Sequence, residues 1–450
     1  MARGNFGSKI GIILATAGSA VGLGNVWRFP YMTGQNGGAA FLLVYIGCIL
    51  LLGIPGMLCE FIVGRHGQSN AAKAYDKLSG GRPWKLIGYL GILTATIILG
   101  FYAVVAGWCL EYLFASLTGR TLGDADYIQN YFAEFSSDTW HPLLWGCVFV
   151  MITHMVVIRG VRKGIEQASK LLMPVLMVLL LILMIASCSL PNAIEGIRFL
   201  LMPDFSKVNG QMALEALGQA FFSLSLGTAV LCTYASYFTR DINLLRSSSQ
   251  IAILDTFIAI LSGLMIFPAA FSVGISPDSG PSLIFITLPN VFQQAFGSIP
   301  ALAYVISIMF YALLVFAALT STISMHEIGT AFFTEELNLP REKAAWIITG
   351  VASVLCIFCA WSVGAFDSIK VMGVSLMDFC DMLTANFMLP LGALLTCLFV
   401  GWYVPKQIVF GEFTNDGTTN TMFFSLFLIA VRYICPLSIV LIFLHQLGVI

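Results

Sequence analysis

Eleven apolar segments, each about long enough to cross a lipid bilayer as a helix, follow one another along this chain. A crossing helix needs roughly 20 predominantly apolar residues. Only 10% of the 450 residues are charged, whereas soluble domains carry about 25%. The chain is therefore predicted to be an all-α polytopic membrane protein, and its net charge of −1 gives no reason to expect a nucleic-acid partner. The segments fall at 9–31, 39–64, 87–118, 142–158, 167–189, 213–238, 249–274, 299–333, 343–364, 371–402 and 421–447.

The basic residues are distributed unevenly between the two sides of the membrane. If the N-terminus lies inside, 16 of the 22 Lys and Arg residues fall on the cytoplasmic side and four fall outside. Loops rich in Lys and Arg are retained in the cytoplasm. The distribution predicts a multi-pass protein with a cytoplasmic N-terminus and an external C-terminus.

The first and sixth segments are interrupted near their middles by residues that weaken a helix. The first reads AGSAVGLGNVWRFP, and the sixth reads GQAFFSLSLGTAVL. Unsatisfied backbone groups in lipid are costly, so such a break persists only where it lines a cavity. Interruptions at corresponding positions of two five-helix halves indicate a transporter site near the middle of the membrane.

Several motifs closely resemble those of the neurotransmitter:sodium symporters and lie in register over nearly the whole chain. They read GSAVGLGNVWRFP, NGGAAF, GIPGMLCEFIVGRHG, FYAVVAGW, IRGVRKGIE, GQAFFSLSLG, TYASY, FAALTSTIS, MDF and VRYICP. The resemblance implies a 5+5 inverted-repeat fold with discontinuous helices 1 and 6 and one extra helix. The first repeat would occupy 1–190, the second 191–402 and the eleventh helix 403–450. The implied protein is a bacterial amino acid transporter of the inner (cytoplasmic) membrane.

The resemblance also implies a substrate site between the two breaks. The carboxylate of an amino acid would meet the amides of Leu23 and Gly24 and the hydroxyl of Tyr102. Its ammonium group would be held by the carbonyls of Ala20, Phe222 and Ser223 and by the Ser225 hydroxyl. Gly22 stands where monoamine carriers have Asp, so the substrate should supply its own carboxylate. The rest of the pocket, which suits a hydrophobic side chain, would comprise Ile98, Phe222, Thr228, Ser321 and Met325.

Two sodium sites are implied in the same way. Site one would use the Ala20 carbonyl, Asn25, Ser223, Asp255 and the substrate carboxylate. Site two would use the carbonyls of Gly18, Val21 and Ala317 with the hydroxyls of Thr320 and Ser321. Taken alone, such hydroxyls often bond to their own helix instead. The family often has Asn at the position of Asp255, so we expect this carboxylate to replace chloride, and no chloride requirement is expected.

Charged residues near both ends of the pathway are implied to form gates. On the outer side, Arg28 would pair with Asp378 beside Gln219, and Asp381 is an alternative partner. On the inner side, Arg3 would meet Glu335 near Tyr237. The pair His326–Glu327 is either proton-sensitive or a solvated helix end, and the second interpretation is preferred.

The predicted function is sodium-coupled import of hydrophobic L-amino acids, aliphatic or aromatic, by alternating access. An amino acid sensor of the same fold that does not transport remains an alternative. A membrane enzyme is not expected, because no HExxH or GxSxG motif occurs. A channel is not expected either, because it would need a continuous polar path or a repeated filter loop, and the sequence shows neither. The expected partners are the substrate, two sodium ions and the bilayer, with no obligatory protein partner. The preferred amino acid, the sodium stoichiometry, proton antiport and the oligomeric state stay open.

Overall fold

The computed structural model describes residues 6–274, 283–297, 299–364, 366, 369–418 and 422–446. Helices dominate the described chain, and its two short strands, Lys370–Val371 and Val374–Ser375, pair antiparallel before the tenth span. Eight helices are long and apolar enough to cross a membrane, and the first span is a bent pair of helices. The expected all-α polytopic architecture is confirmed.

The membrane-spanning helices are numbered here as spans 1 to 11 in chain order. Spans 1 to 6 are Lys9–Ala20 with Gly24–Gln35, Ala39–Gly67, Lys85–Leu117, His141–Val157, Val161–Cys188, and Gly210–Ser223 with Val230–Ala235. Spans 7 to 11 are Leu244–Ser272, Pro300–Glu336, Arg341–Val363, Leu376–Tyr403 and Phe424–Gln446. Shorter helices connect them at Ala71–Ser79, Ala125–Ser137, Ala193–Leu201, Phe205–Lys207, Leu283–Phe296 and Lys406–Thr414.

Both predicted breaks are present in the backbone. The two halves of span 1 meet at an angle of 53°. In span 6 the helix stops at Ser223, and Ser225, Gly227 and Ala229 adopt φ values of 54°, 82° and 60° before it resumes. A Cβ on Gly227 would also lie 2.2 Å from the carbonyl oxygen of Leu389. Both the backbone conformation and the close approach of span 10 therefore require glycine here.

A carboxylate from span 2 holds the broken part of span 6. Glu60 is buried, and its Oε1 accepts a hydrogen bond of 2.7 Å from the amide of Gly227. Its Oε2 accepts a second bond of 3.3 Å from the amide of Cys232. These bonds satisfy amides that the interruption leaves without helical partners, which is why the break can exist in the protein interior.

Spans 3 and 8 pack along each other more extensively than any other pair of helices in the described chain. The first half of span 1 lies against spans 5, 7 and 8, and the second half of span 6 lies against span 2. This packing places the two broken helices next to each other and beside the long helices of spans 3 and 8.

Candidate functional site

A buried cavity lies between the breaks of spans 1 and 6. Ten of the eleven residues predicted to bind substrate line it: Ala20, Gly24, Ile98, Tyr102, Phe222, Ser223, Ser225, Thr228, Ser321 and Met325. Leu23 lines a neighbouring outer cavity instead, but its amide donates a hydrogen bond of 3.1 Å to the Tyr102 hydroxyl. Leu23 is thus linked to the cavity through its backbone amide, and its contact with the substrate carboxylate stays a prediction.

The cavity also contains residues that the sequence did not single out for it. Ser19, Phe101 and Leu389 line its wall. The carbonyl of Ser19 accepts a hydrogen bond of 3.2 Å from the Ser225 hydroxyl, which ties one break to the other. Leu389 comes from span 10 and belongs to none of the motifs, so no sequence signal pointed to it.

Gly22 leaves open the place where two hydroxyls converge. A Cβ at this position would lie 2.5 Å from Ser321 Oγ and 3.2 Å from Tyr102 Oη. A side chain here would displace at least one of these groups. The absence of a side chain at Gly22 keeps the Tyr102 and Ser321 hydroxyls accessible to a polar group of a ligand.

Three buried side chains of predicted sodium site one lie in direct contact. Asn25 Nδ2 donates to Asp255 Oδ1 at 2.8 Å and to Ser223 Oγ at 3.4 Å. The Ser223 hydroxyl donates to Asp255 Oδ2 at 2.7 Å. All three are at most 2% exposed, although they come from spans 1, 6 and 7. The cluster offers carboxylate, amide and hydroxyl oxygens, the hard ligands that suit a hard cation such as sodium.

Tyr45 of span 2 completes this cluster and was not predicted. Its hydroxyl lies 3.4 Å from Asp255 Oδ2. The ring is fully buried against Phe29 and Phe41. A tyrosine within an apolar segment was the available sequence signal, but spacing alone did not place it beside a residue 210 positions away.

The residues of predicted sodium site two also lie together. The Thr320 hydroxyl of span 8 donates to the carbonyls of Val21 at 3.3 Å and of Ala317 at 3.0 Å. The Ser321 hydroxyl donates to the Val21 carbonyl at 3.4 Å. A Cβ on Gly18 would lie 3.3 Å from Thr320 Cβ, so glycine permits the close approach of the helices. The hydroxyls therefore bond both to their own helix and across to the break in span 1.

A second cavity, of about 370 Å³, lies directly outside the first and shares Phe222 and Tyr102 with it. The guanidinium carbon of Arg28 lies 4.3 Å above the centre of the Phe222 ring. Both Asp378 and Asp381 line this outer cavity. A volume of this size admits several water molecules beside the ring of Phe222.

The two candidate acidic partners of Arg28 differ in their surroundings. Asp378 accepts a hydrogen bond of 2.7 Å from the Ser375 hydroxyl. Asp381 lies one helical turn further along the same helix. Among the side chains that the structure describes, neither carboxylate lies within 4.0 Å of the Arg28 guanidinium. Both carboxylates stay candidate partners of Arg28.

Gln219 is buried in span 6, and in the described part of the chain neither of its amide atoms has a hydrogen-bond partner. Such groups are rare in protein interiors and need an explanation. The helix that carries Gln219 contacts the Gly24–Arg28 turn of span 1, so Gln219 and Arg28 lie on neighbouring helical segments.

On the inner side, the structure describes Glu335 and Tyr237 of the predicted gate, whereas Arg3 lies outside the described residues. Glu335 accepts a hydrogen bond of 2.6 Å from the amide of Asn70. The Tyr237 hydroxyl donates to Glu327 Oε1 at 2.7 Å. The arrangement brings Tyr237 to Glu327, a contact that the sequence did not predict.

The interpretation of His326–Glu327 as a solvated helix end is wrong. Both side chains are 0% exposed. Glu327 forms a salt bridge with Arg341, whose guanidinium also donates to the Val157 carbonyl at 2.8 Å. Span 8 continues to Glu336, beyond the predicted apolar segment, and span 9 begins at Arg341 and folds back over Glu327.

Comparisons with known proteins show which family the chain resembles in sequence. The model of the sodium:neurotransmitter symporter family matches residues 3–134 and 125–449. The chain is 38% identical to an uncharacterized sodium-dependent transporter, YhdH, of Bacillus subtilis (strain 168), over 98% of this chain and 97% of that protein. It is 33% identical to an uncharacterized sodium-dependent transporter of Haemophilus influenzae, over 99% of this chain and 98% of that protein.

A solved structure extends the similarity to the fold. The crystal structure of MhsT in complex with L-phenylalanine superposes with a TM-score of 0.90 and 40% sequence identity. The match covers 98% of this chain and 99% of that one.

Fold and site together define a polytopic helical transporter with two interrupted helices. The chain belongs to the sodium:neurotransmitter symporter family. It is a sodium-dependent transporter, and the expectations of an inverted-repeat symporter fold and of a protein that is not an enzyme are confirmed.

Proposed function

We propose that the protein imports a hydrophobic L-amino acid together with sodium by alternating access. The observation that carries this proposal is the Asn25–Ser223–Asp255 cluster beside a largely apolar cavity at two helix breaks. A buried carboxylate within a membrane protein is costly unless it is paired, and such residues commonly mark ion pathways. A sodium ion supplies the positive charge that the cluster lacks.

The substrate carboxylate is recognised at the start of Gly24–Gln35, the second half of span 1. The N-terminus of a helix carries a partial positive charge and free amides, which favour an anion. The Tyr102 hydroxyl, 3.1 Å from the amide of Leu23, provides a further donor at this point. Since Gly22 carries no side chain, the charge must come from the substrate, as expected for an amino acid.

The substrate side chain is hydrophobic, because the remaining cavity wall offers aromatic, aliphatic and small hydroxyl groups but no charge. Ile98, Phe222 and Met325 contribute apolar surface, while Thr228 turns its hydroxyl to the carbonyl of Ser225 at 2.6 Å. A relative of 40% identity and the same fold was crystallised with L-phenylalanine, which supports an aromatic or aliphatic substrate.

Two sodium ions bind, one at Asn25 and Asp255 and one between Val21 and Thr320. The first ion contacts the substrate carboxylate, so the binding of each favours the other. Asp255 provides a negative charge within site one from the protein itself, and transport therefore needs no chloride.

The transporter resides in the bacterial inner membrane with its N-terminus in the cytoplasm, as the distribution of basic residues supports. Residues 1–190 and 191–402 form the two repeats, and 403–450 adds span 11. Arg28, Asp378, Asp381 and Gln219 control the outer entrance, and Arg3, Glu335 and Tyr237 control the inner one. Closure of one entrance permits opening of the other.

The test is equilibrium binding of labelled L-amino acids to the purified protein in sodium chloride and in choline chloride. Hydrophobic L-amino acids should bind only in sodium, while acidic, basic and monoamine compounds should not compete. Saturable binding that is equal in choline would contradict sodium coupling. Competition by a monoamine without a carboxylate would contradict the proposed recognition at Gly22 and Tyr102.

A further inference from the structure

Arg432 lies within span 11, two helical turns from its beginning at Phe424, and is only half-buried. Its Nε donates a hydrogen bond of 2.6 Å to the carbonyl of Gly401 in span 10. A Cβ on Gly401 would lie 3.1 Å from Arg432 Cγ, so glycine lets the arginine stem pack tightly there. Within the described chain, the two terminal nitrogens of the guanidinium have no hydrogen-bond partner and no acidic partner.

Exposed aromatic and aliphatic side chains surround Arg432. The guanidinium carbon lies 5.4 Å from the ring centre of Trp402, which is 57% exposed. Trp402 Nε1 donates to the Arg432 carbonyl at 3.2 Å, so the two residues lie at the same depth. Tyr433, which packs edge-on against Trp402, begins a column of exposed side chains that continues along span 11 through Leu437 and Leu441.

Further basic residues lie near the beginning of span 3 and the end of span 10. The guanidinium of Arg82 lies 5.5 Å from the ring centre of Tyr403, the residue after Trp402. Tyr403 packs on Trp84 at 5.4 Å between ring centres. Lys85 and Lys406 are exposed nearby in the chain. Aromatic residues interleaved with Arg and Lys are typical of the membrane interface on the cytoplasmic side.

We propose that an anionic phospholipid of the cytoplasmic leaflet binds where spans 10 and 11 meet, with its phosphate on Arg432 and its acyl chains along Tyr433, Leu437 and Leu441. The choice of leaflet rests on the proposed orientation. A charge within a membrane is costly unless an anion accompanies it. No described acidic side chain serves Arg432, and a guanidinium binds phosphate through two parallel hydrogen bonds. The adjoining apolar column favours a phosphate that carries acyl chains over a free ion.

The experiment titrates the full-length protein in detergent with palmitoyl-oleoyl phosphatidylglycerol or phosphatidylcholine and counts bound lipids by native mass spectrometry. The first phosphatidylglycerol should bind more tightly than phosphatidylcholine. Arg432→Gln should weaken it about five-fold, the effect of one basic residue at a membrane surface. The matched control Arg246→Gln, which removes a charge from another exposed position of the predicted cytoplasmic face, should leave it unchanged.

Trp402→Leu keeps the test valid if Arg432→Gln does not fold, because Trp402 is exposed and the change preserves apolar character. This variant removes the ring beside which the Arg432 guanidinium lies, so it should also weaken binding of the first phosphatidylglycerol. Equal binding of the two lipids by the unchanged protein, or equal losses in Arg432→Gln and Arg246→Gln, would overturn the proposal. Displacement of the bound lipid by 10 mM inorganic phosphate would overturn it as well. The titration contains neither sodium nor an amino acid, so its failure would leave the proposed transport function intact.

Discussion

Replacing Asp255 by Asn removes one negative charge from the predicted sodium site one while preserving the shape of the side chain. In the structure the carboxylate accepts hydrogen bonds from Asn25 at 2.8 Å and from Ser223 at 2.7 Å. An asparagine retains one oxygen for a cation, but its amide group cannot accept from the second donor. The substitution therefore tests the charge of the site and not its volume.

The magnitude follows from the contacts of this carboxylate. Hydrogen bonds to charged groups contribute about 1.5–3 kcal/mol, and a sodium ion in a buried site depends on the charge at least as strongly. A loss of about 2 kcal/mol corresponds to about a 30-fold weaker affinity. The concentration of sodium that half-saturates amino acid binding should rise by about this factor in Asp255→Asn.

The assay measures equilibrium binding of labelled L-phenylalanine to the purified protein as sodium replaces choline at constant ionic strength. The matched control is Tyr45→Phe, which removes a long contact to Asp255, at 3.4 Å, without changing the charge of the cluster. This control should shift the half-saturating sodium concentration by no more than about five-fold, because so long a hydrogen bond is weak and contributes at most about 1 kcal/mol. If Asp255→Asn shifts it no further than Tyr45→Phe does, Asp255 is not a sodium ligand.

Three further predictions concern the anion, the substrate and the span 6 break. Uptake should persist when gluconate replaces chloride at constant sodium, and a collapse would refute the role given to Asp255. Tyr102→Phe should weaken L-phenylalanine binding about ten-fold by removing a donor to the carboxylate; unchanged affinity would count against it. Glu60→Gln should destabilise the protein by about 2 kcal/mol, because one buried amide loses its acceptor. A thiol-reactive dye reports this unfolding through the buried cysteines, and an unaltered melting temperature would contradict the proposed support of the break.

The spans and the breaks could be predicted from local sequence because lipid imposes simple rules on it. A crossing helix needs an apolar run, and a break needs glycine or small polar residues that line a cavity. The predictions for spans 1 and 6 used only these two local patterns. The positions of Leu389 and Tyr45 could not be found this way, since each depends on the packing of helices that are distant in sequence.

Charged pairs near the ends of the pathway show a second limit of the sequence. Asp378 and Asp381 are one helical turn apart, so spacing allowed either to serve Arg28, and both line the outer cavity. For His326–Glu327, the preferred interpretation from the sequence was a solvated helix end. The sequence contained no sign that Arg341, at the start of the next helix, would cover Glu327.

Uptake of labelled L-phenylalanine into proteoliposomes under an imposed inward sodium gradient tests sodium-coupled transport most directly. The predicted result is transient accumulation above the external concentration, which disappears when a sodium ionophore collapses the gradient. Accumulation of the same size with choline outside would contradict sodium coupling. Sodium-dependent binding without any flux would instead identify an amino acid sensor of the same fold.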